Sequence, residues 1–226
     1  MSIKLKFDYN YKILQNKIDK YDFNFKIIII GNSGIGKSSI TNRGTKNIFY
    51  NDFSSTIGFE NYSFNIKLEE KIIHLHIWDT CGQEKFRSLI QNFYRKASLA
   101  FIVYSVTDRE SFEQVDNWYR EVKNNTGNVD IKIFLIGNKI DLENLRVVQT
   151  EEGQKYYEEN NLTKFFEVSA KSGFNAQNIF IEAAKVLYDD YLSYNQNNKK
   201  SINKNIMNNE IISNDRNAKR KRKCCE

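Results

Sequence analysis

Four consecutive isoleucines, Ile27-Ile28-Ile29-Ile30, run directly into Gly31-Asn32-Ser33-Gly34-Ile35-Gly36-Lys37-Ser38. A continuous β-branched run bounded by glycine reads as a strand buried on both faces, which places it inside a parallel sheet. The eight residues after it match G-x-x-x-x-G-K-S. Glycines at those places let backbone N–H groups turn inward around phosphate oxygens, and a helix starting near Gly36 adds the positive end of its dipole. In such a loop Gly31, Ser33, Gly34, Ile35, Gly36 and Ser39 frame the phosphates. Lys37 reaches the β- and γ-phosphates, and the Ser38 hydroxyl ligates Mg²⁺. This unit specifies a nucleoside triphosphate without naming its base.

Strand-like runs at Phe25–Ile30, Tyr62–Leu68, Ile72–Trp78, Leu99–Val106, Ile131–Ile136 and Phe165–Val168 alternate with helix-length segments. The helical candidates are Lys37–Arg43, Phe86–Arg95, Glu110–Lys123, Glu151–Asn160 and Asn175–Tyr191. That alternation predicts an α/β fold with a mostly parallel sheet. The link between the second and third runs is too short for a helix, so those two form an antiparallel hairpin.

The flanks differ from this centre. Residues 1–23 show only a weak helical spacing, at Ile13, Leu14, Ile18 and Tyr21, and are expected to be a flexible extension. Residues 195–226 are polar, aperiodic and unable to bury a core, which predicts a disordered tail after a domain spanning 24–194. The tail contains Lys199, Lys200, Lys204, Arg216 and the run Lys219-Arg220-Lys221-Arg222-Lys223, and it carries the whole formal net charge of +6. A neutral globule with a basic tail points away from nucleic acid and toward an anionic membrane surface. The first residues lead into no apolar signal segment, Ser2 excludes N-myristoylation, and no run approaches a membrane span. Cys81 is isolated and Cys224-Cys225 are adjacent, so there is no disulfide framework and a reducing cytosolic setting is expected.

Three further motifs end strands. Asp79, in Trp78-Asp79-Thr80-Cys81-Gly82-Gln83, is placed to hold the water shell of Mg²⁺. In Asn138-Lys139-Ile140-Asp141 the carboxylate can accept from the N1–H and 2-amino groups of guanine. Adenine has neither donor, and a site built this way discriminates by roughly 10⁴–10⁵. In Ser169-Ala170-Lys171 the Ala170 N–H can meet the guanine O6.

In this order, and with Thr56, these motifs resemble the Ras superfamily of small GTPases over residues 24–194. The resemblance implies a three-layer P-loop GTPase fold with a six-stranded sheet, one strand antiparallel, and about five helices. It implies a monomeric GTP/GDP switch that hydrolyses GTP slowly unless an activating protein helps. Thr56 becomes a switch Mg²⁺ ligand and Phe49 the aromatic against the base. Gln83 orients the attacking water, with Lys37 and Thr56 completing the catalytic set and the Gly82 N–H sensing the γ-phosphate. Exchange factors, GTPase-activating proteins and effectors follow as partners.

Trp78-Asp79-Thr80, Lys85-Phe86-Arg87-Ser88-Leu89, Phe93-Tyr94-Arg95 and Ser33 are similar to Rab-subfamily signatures. The double cysteine at the end is similar to Rab tails that carry two geranylgeranyl groups, here on Cys224 and Cys225. Two chains and a basic patch anchor stably where one chain does not. The Rab resemblance implies escort and GDP-dissociation-inhibitor proteins, a regulatory role in vesicle traffic, and residence on the cytoplasmic face of a membrane with a cytosolic pool. Three positions depart from the pattern. Cys81 replaces an alanine, Gly44 a phenylalanine, and Asn61 one ring of a three-aromatic effector patch that retains Trp78 and Phe93. Phe59 and Tyr62 are the candidates to fill that gap. The alternative reading is a nucleotide-locked module that scaffolds partners with very low hydrolysis.

Overall fold

The computed structural model describes residues 9–15, 18–50, 58–80, 94–126 and 131–195. It divides into two units, residues 1–187 and 188–226.

The first unit contains a seven-stranded sheet in the order β1-β3-β4-β2-β5-β6-β7. The strands are β1 Tyr11–Leu14, β2 Phe23–Ile30, β3 Phe59–Leu68, β4 Lys71–Thr80, β5 Leu99–Ser105, β6 Lys132–Asn138 and β7 Lys164–Glu167. The helices are α1 Lys37–Lys46, α2 Arg109–Glu113, α3 Val115–Asn125 and α4 Thr150–Glu159, followed by α5 over residues 178–187. Residues 188–195 of the second unit are helical. The helix expected over Phe86–Arg95 lies almost wholly outside the described residues.

The expected hairpin is β3–β4, antiparallel from Phe59↔Thr80 to Leu68↔Lys71. β2 pairs in parallel with β4 and β5, and β5–β6–β7 continue in parallel. The sheet has one strand more than expected. β1, from the N-terminal extension, pairs antiparallel with β3 along Asn65–Leu68. It therefore runs with β4, and β3 is still the strand that opposes the rest. Four residues with no clear alternation give no strand signal; the free edge of β3 is what makes them one, by supplying a row of hydrogen-bonding groups.

Helices pack on both faces of the sheet. On one face Phe180 of α5 meets Phe64 and Phe101 at 5.6 and 5.5 Å, and Gly44 of α1 sits so close to Phe180 and the Ala176 carbonyl that a Cβ would collide. The missing phenylalanine at 44 thus makes room for a ring from α5. On the other face Trp118 and Val122 of α3 join Ile28, Ile102, Ile133 and Leu135 in a buried cluster, with Phe112 of α2 and Tyr156 of α4 packed against it. β5 is buried along its whole length. This three-layer arrangement puts the C-terminal ends of β2, β4, β5 and β6 at one rim. β2 lies there at the point where successive strands depart to opposite sides, the position that binds ligands in open α/β sheets.

Candidate active site

The loop after β2 depends on two glycines for distinct reasons. Gly31 adopts φ +140° and a Cβ there would strike the Val103 carbonyl of β5. Gly36 adopts φ +93° and a Cβ would strike the Asn138 amide. α1 then starts at Lys37 with no side-chain cap, so its first N–H groups face the loop without a protein acceptor from a capping side chain. At α4, by contrast, the Glu152 carboxylate accepts from the Gln149 N–H at 2.9 Å. An uncapped positive helix end following a glycine loop is an anion cradle. Lys37 is buried; its Nζ donates to the Gly31 and Asn32 carbonyls at 2.9 and 2.6 Å, which holds an ammonium inside the same loop.

Asp79 is fully buried at the end of β4, in register with Ile29 of β2. Neither of its carboxylate oxygens has a hydrogen-bond partner among the described residues. Burial pushes its carboxyl up to about 6, the Ser38 hydroxyl and the Lys37 ammonium pull it down, and Glu60 raises it again. A carboxylate left without a partner at the lip of an anion cradle, beside a serine hydroxyl, matches the donor set of a Mg²⁺ that keeps several waters. Ser38 and Asp79 fit that ion.

A cavity of about 280 Å³ adjoins the cradle, lined by Gly34, Gly36, Ser39, Phe49, Asn138, Lys139, Asp141, Leu142, Ala170 and Lys171. Asn138 is almost fully buried and joins its two sides. Its Nδ2 donates to the Ile35 carbonyl at 2.9 Å and its Oδ1 accepts from the Ala170 N–H at 3.2 Å. Lys139, with φ +71°, sends its Nζ to the Gly34 carbonyl at 2.8 Å. Ser169 donates to Asp141 Oδ1 at 2.6 Å, and its Oγ accepts from the Ser172 N–H at 3.0 Å, so the carboxylate is held in one orientation. A fixed acceptor, a backbone donor and an aromatic wall around one slot can select a purine that carries donors where guanine has them.

The structure therefore brings Gly31, Gly34, Ile35, Gly36, Lys37, Ser38, Ser39, Phe49, Asp79, Asn138, Lys139, Asp141, Ser169, Ala170 and Lys171 to one rim, with Ser33 in the turn of the loop. Thr56, Gly82, Gln83, Cys81, Phe93, Cys224 and Cys225 lie outside the described residues. Two supporting residues were not visible in the sequence. Arg43 of α1 donates through Nε to the Ala170 carbonyl at 2.9 Å and through a terminal nitrogen to the Lys171 carbonyl at 2.8 Å. It also bonds the Asn47 carbonyl and side chain, and lies 5.9 Å over the Phe49 ring. Trp118 of α3 donates to the Asn32 side chain at 2.8 Å, fixing the shoulder of the phosphate loop. An arginine in the last turn of a helix and a tryptophan on an apolar helix face carry no local signal of such roles.

At the open end of β3, Phe59 stacks on Trp78 at 5.2 Å, while Tyr62 is buried and bonded to Asn42 of α1. Phe59 is thus the ring beside Trp78 where Asn61 supplies none.

Known proteins are similar to this chain over most of its length. The Ras family model matches residues 26–189. Ras-related protein RABA1b of Arabidopsis thaliana is 43% identical over 170 residues, covering 75% of this chain and 78% of its own. Ras-related protein Rab11B of Nicotiana tabacum is 41% identical over 75% of this chain and 77% of its own, and Ras-related protein RIC2 of Oryza sativa subsp. japonica is 40% identical over the same shares. With a match this long, and with phosphate cradle and base slot joined through Asn138, the chain belongs to the Ras family of small GTPases, in its Rab subfamily, and is a GTP-hydrolysing switch.

Proposed function

We propose that this GTPase reads guanine through Asp141 and uses its nucleotide state to control partners on a membrane. The observation that carries the reading is the Asp141 carboxylate, fixed by Ser169 at the wall of the base cavity. Asp141 accepts from the base N1–H and 2-amino group, the Ala170 N–H turns from Asn138 Oδ1 toward O6, and Phe49 covers one face. Lys37 leaves the loop carbonyls for the β- and γ-phosphates, and the N–H groups at the start of α1 hold the same oxygens. Ser38, Asp79 through water, and Thr56 hold Mg²⁺, which when bound neutralises phosphate charge. Gln83 orients the attacking water, and the loose transition state makes the reaction one of positioning and electrostatics. Loss of the γ-phosphate releases the contacts made by Thr56 and Gly82, which is the switching event.

The tail supplies the address. Geranylgeranyl groups on Cys224 and Cys225, with the adjacent basic run, tether the protein to the cytoplasmic face of a membrane, where it regulates vesicle traffic. No helix among the described residues is long and apolar enough to cross a membrane. Exchange factors, activating proteins, escort and GDP-dissociation-inhibitor proteins and effectors are the partners such a cycle requires.

Asp141→Asn tests the base assignment. The amide can donate to the 2-oxygen of xanthine, so the variant loses GTP affinity and gains affinity for xanthosine triphosphate. Unchanged preference for GTP would remove Asp141 from the role of reader.

A further inference from the structure

Away from the nucleotide, one face of the sheet carries a continuous row of rings. Phe59 stacks on Trp78 at 5.2 Å, Trp78 meets His76 at 5.2 Å, His76 lies 6.3 Å from His74, and His74 stacks on Tyr21 at 5.1 Å. His74 and His76 are the 2 histidines of the chain. Tyr21 belongs to the N-terminal extension, outside the stretch matched by the family model. It is nevertheless fixed in place. β1 precedes it on the edge of β3, and Asp22 follows it with a two-way bond to Ile72: its N–H donates to the Ile72 carbonyl at 2.8 Å and its carboxylate accepts from the Ile72 N–H at 2.8 Å. Lys71 adds an ion pair to that carboxylate at 2.9 Å. The extension is therefore built into this face.

The chemistry of the row is as definite as its shape. Lys26 places its ammonium 4.6 Å over the Trp78 ring and donates to the Arg95 carbonyl at 3.1 Å, which leaves further N–H groups on the same nitrogen. The Trp78 indole N–H donates to His76 Nδ1 at 3.3 Å, so the neutral imidazole carries its proton on Nε2. His74 Nδ1 is paired with the Asn65 side chain at 2.6 Å. The carboxylates next to the row are committed: Asp22 to Lys71 and Ile72, and Glu60 to the Tyr62 hydroxyl. Both end rings are open to solvent, Tyr21 at 46% and Phe59 at 44%. Cationic and N–H donors set among rings complement a segment that carries carboxylates beside aromatic side chains.

We propose that the row from Phe59 through Trp78, His76 and His74 to Tyr21 is a docking strip for an acidic protein segment bearing aromatic side chains, with the N-terminal extension as part of the interface. The strip rests on the switch reading only at its Phe59–Trp78 end. Interfaces draw most of their affinity from a few aromatic anchors, and the extension provides one that the GTPase domain lacks.

A random glutamate–tyrosine copolymer serves as the probe, with polyglutamate as the control that has charge but no rings. The full chain, loaded with GDP or with a non-hydrolysable GTP analogue, is followed by NMR at the Trp78 indole N–H and the Hε1 protons of His74 and His76. The copolymer is expected to shift these three signals together and saturably, and polyglutamate to shift them at most weakly. Tyr21→Ser lowers copolymer affinity about fivefold, the order of one aromatic contact, while nucleotide retention and GTP hydrolysis stay at wild-type levels. His74→Ala, which removes the ring under Tyr21, gives a loss of the same size. Shifts confined to the basic tail, or equal affinity of the wild type and both variants, would overturn the strip. Nucleotide retention and hydrolysis on the same samples report separately on the switch reading.

Discussion

Removing the Arg43 side chain tests how the base cavity keeps its shape. Arg43→Ala deletes the bond from Nε to the Ala170 carbonyl, partly sheltered and worth about 1.5 kcal/mol as a charge-assisted bond. It also deletes exposed bonds to Lys171 and Asn47, together contributing about 0.5 kcal/mol. These bonds tie the loop containing Ser169, Ala170 and Lys171 to α1 and bias it toward the geometry of the base cavity. Losing about 2 kcal/mol of that bias lowers the competent fraction, and the apparent affinity for GDP falls by up to about 30-fold. Dissociation of a fluorescent GDP analogue, chased with excess GDP in Mg²⁺, measures it directly. Arg43→Lys keeps the charge but cannot make a fork to two carbonyls, and should fall between the two proteins. A dissociation rate for Arg43→Ala within about twofold of wild type, equivalent to about 0.4 kcal/mol, would show that Asn138 and the backbone hold the loop without help.

Replacing Cys224 and Cys225 by serine should move the protein from membranes to cytosol in cell fractionation, whereas neutralising Lys219–Lys223 should weaken attachment by about 1 kcal/mol per charge; membrane retention of the double-serine protein would contradict the lipid anchor. On the proposed role of the Gly82 N–H at the γ-phosphate, a thiol at the preceding position adds bulk where small displacements cost up to roughly 10²-fold, so Cys81→Ala is expected to hydrolyse GTP faster than wild type in single turnover; equal rates would dismiss the idea. His74 and His76 are both held below their ordinary pKa, mainly by burial, His74 also by His76 and His76 also by Lys26. A depressed histidine pKa means the unfolded chain takes up protons first, so stability is full above about pH 6.5 and declines as pH falls through that value toward the folded pKa. NMR titration of the two Hε1 signals checks this, and a midpoint at or above that of a free histidine would refute it.

The positions of the motifs proposed for base and phosphate were legible in the sequence because each is local. A buried strand followed at once by Gly31–Ser38, or by Asn138–Asp141, leaves the chain little choice about where those side chains go, and parallel pairing then gathers the strand ends at one rim. The alternation of strands and helices along the chain and the antiparallel hairpin followed from run lengths and the short link between two of them, whereas the order of strands across the sheet came from the tertiary structure. What tertiary structure decided is contact between residues far apart in the chain that obey no period. Arg43 meets Ala170 across 127 positions and Trp118 meets Asn32 across 86. Tyr11–Leu14 becomes a strand because the edge of β3 stands open beside it, and Tyr21 joins the row of rings because Asp22 locks onto Ile72. Propensity is a property of neighbours in sequence, whereas an edge to pair with or a ring to stack on exists only after the rest of the sheet has formed.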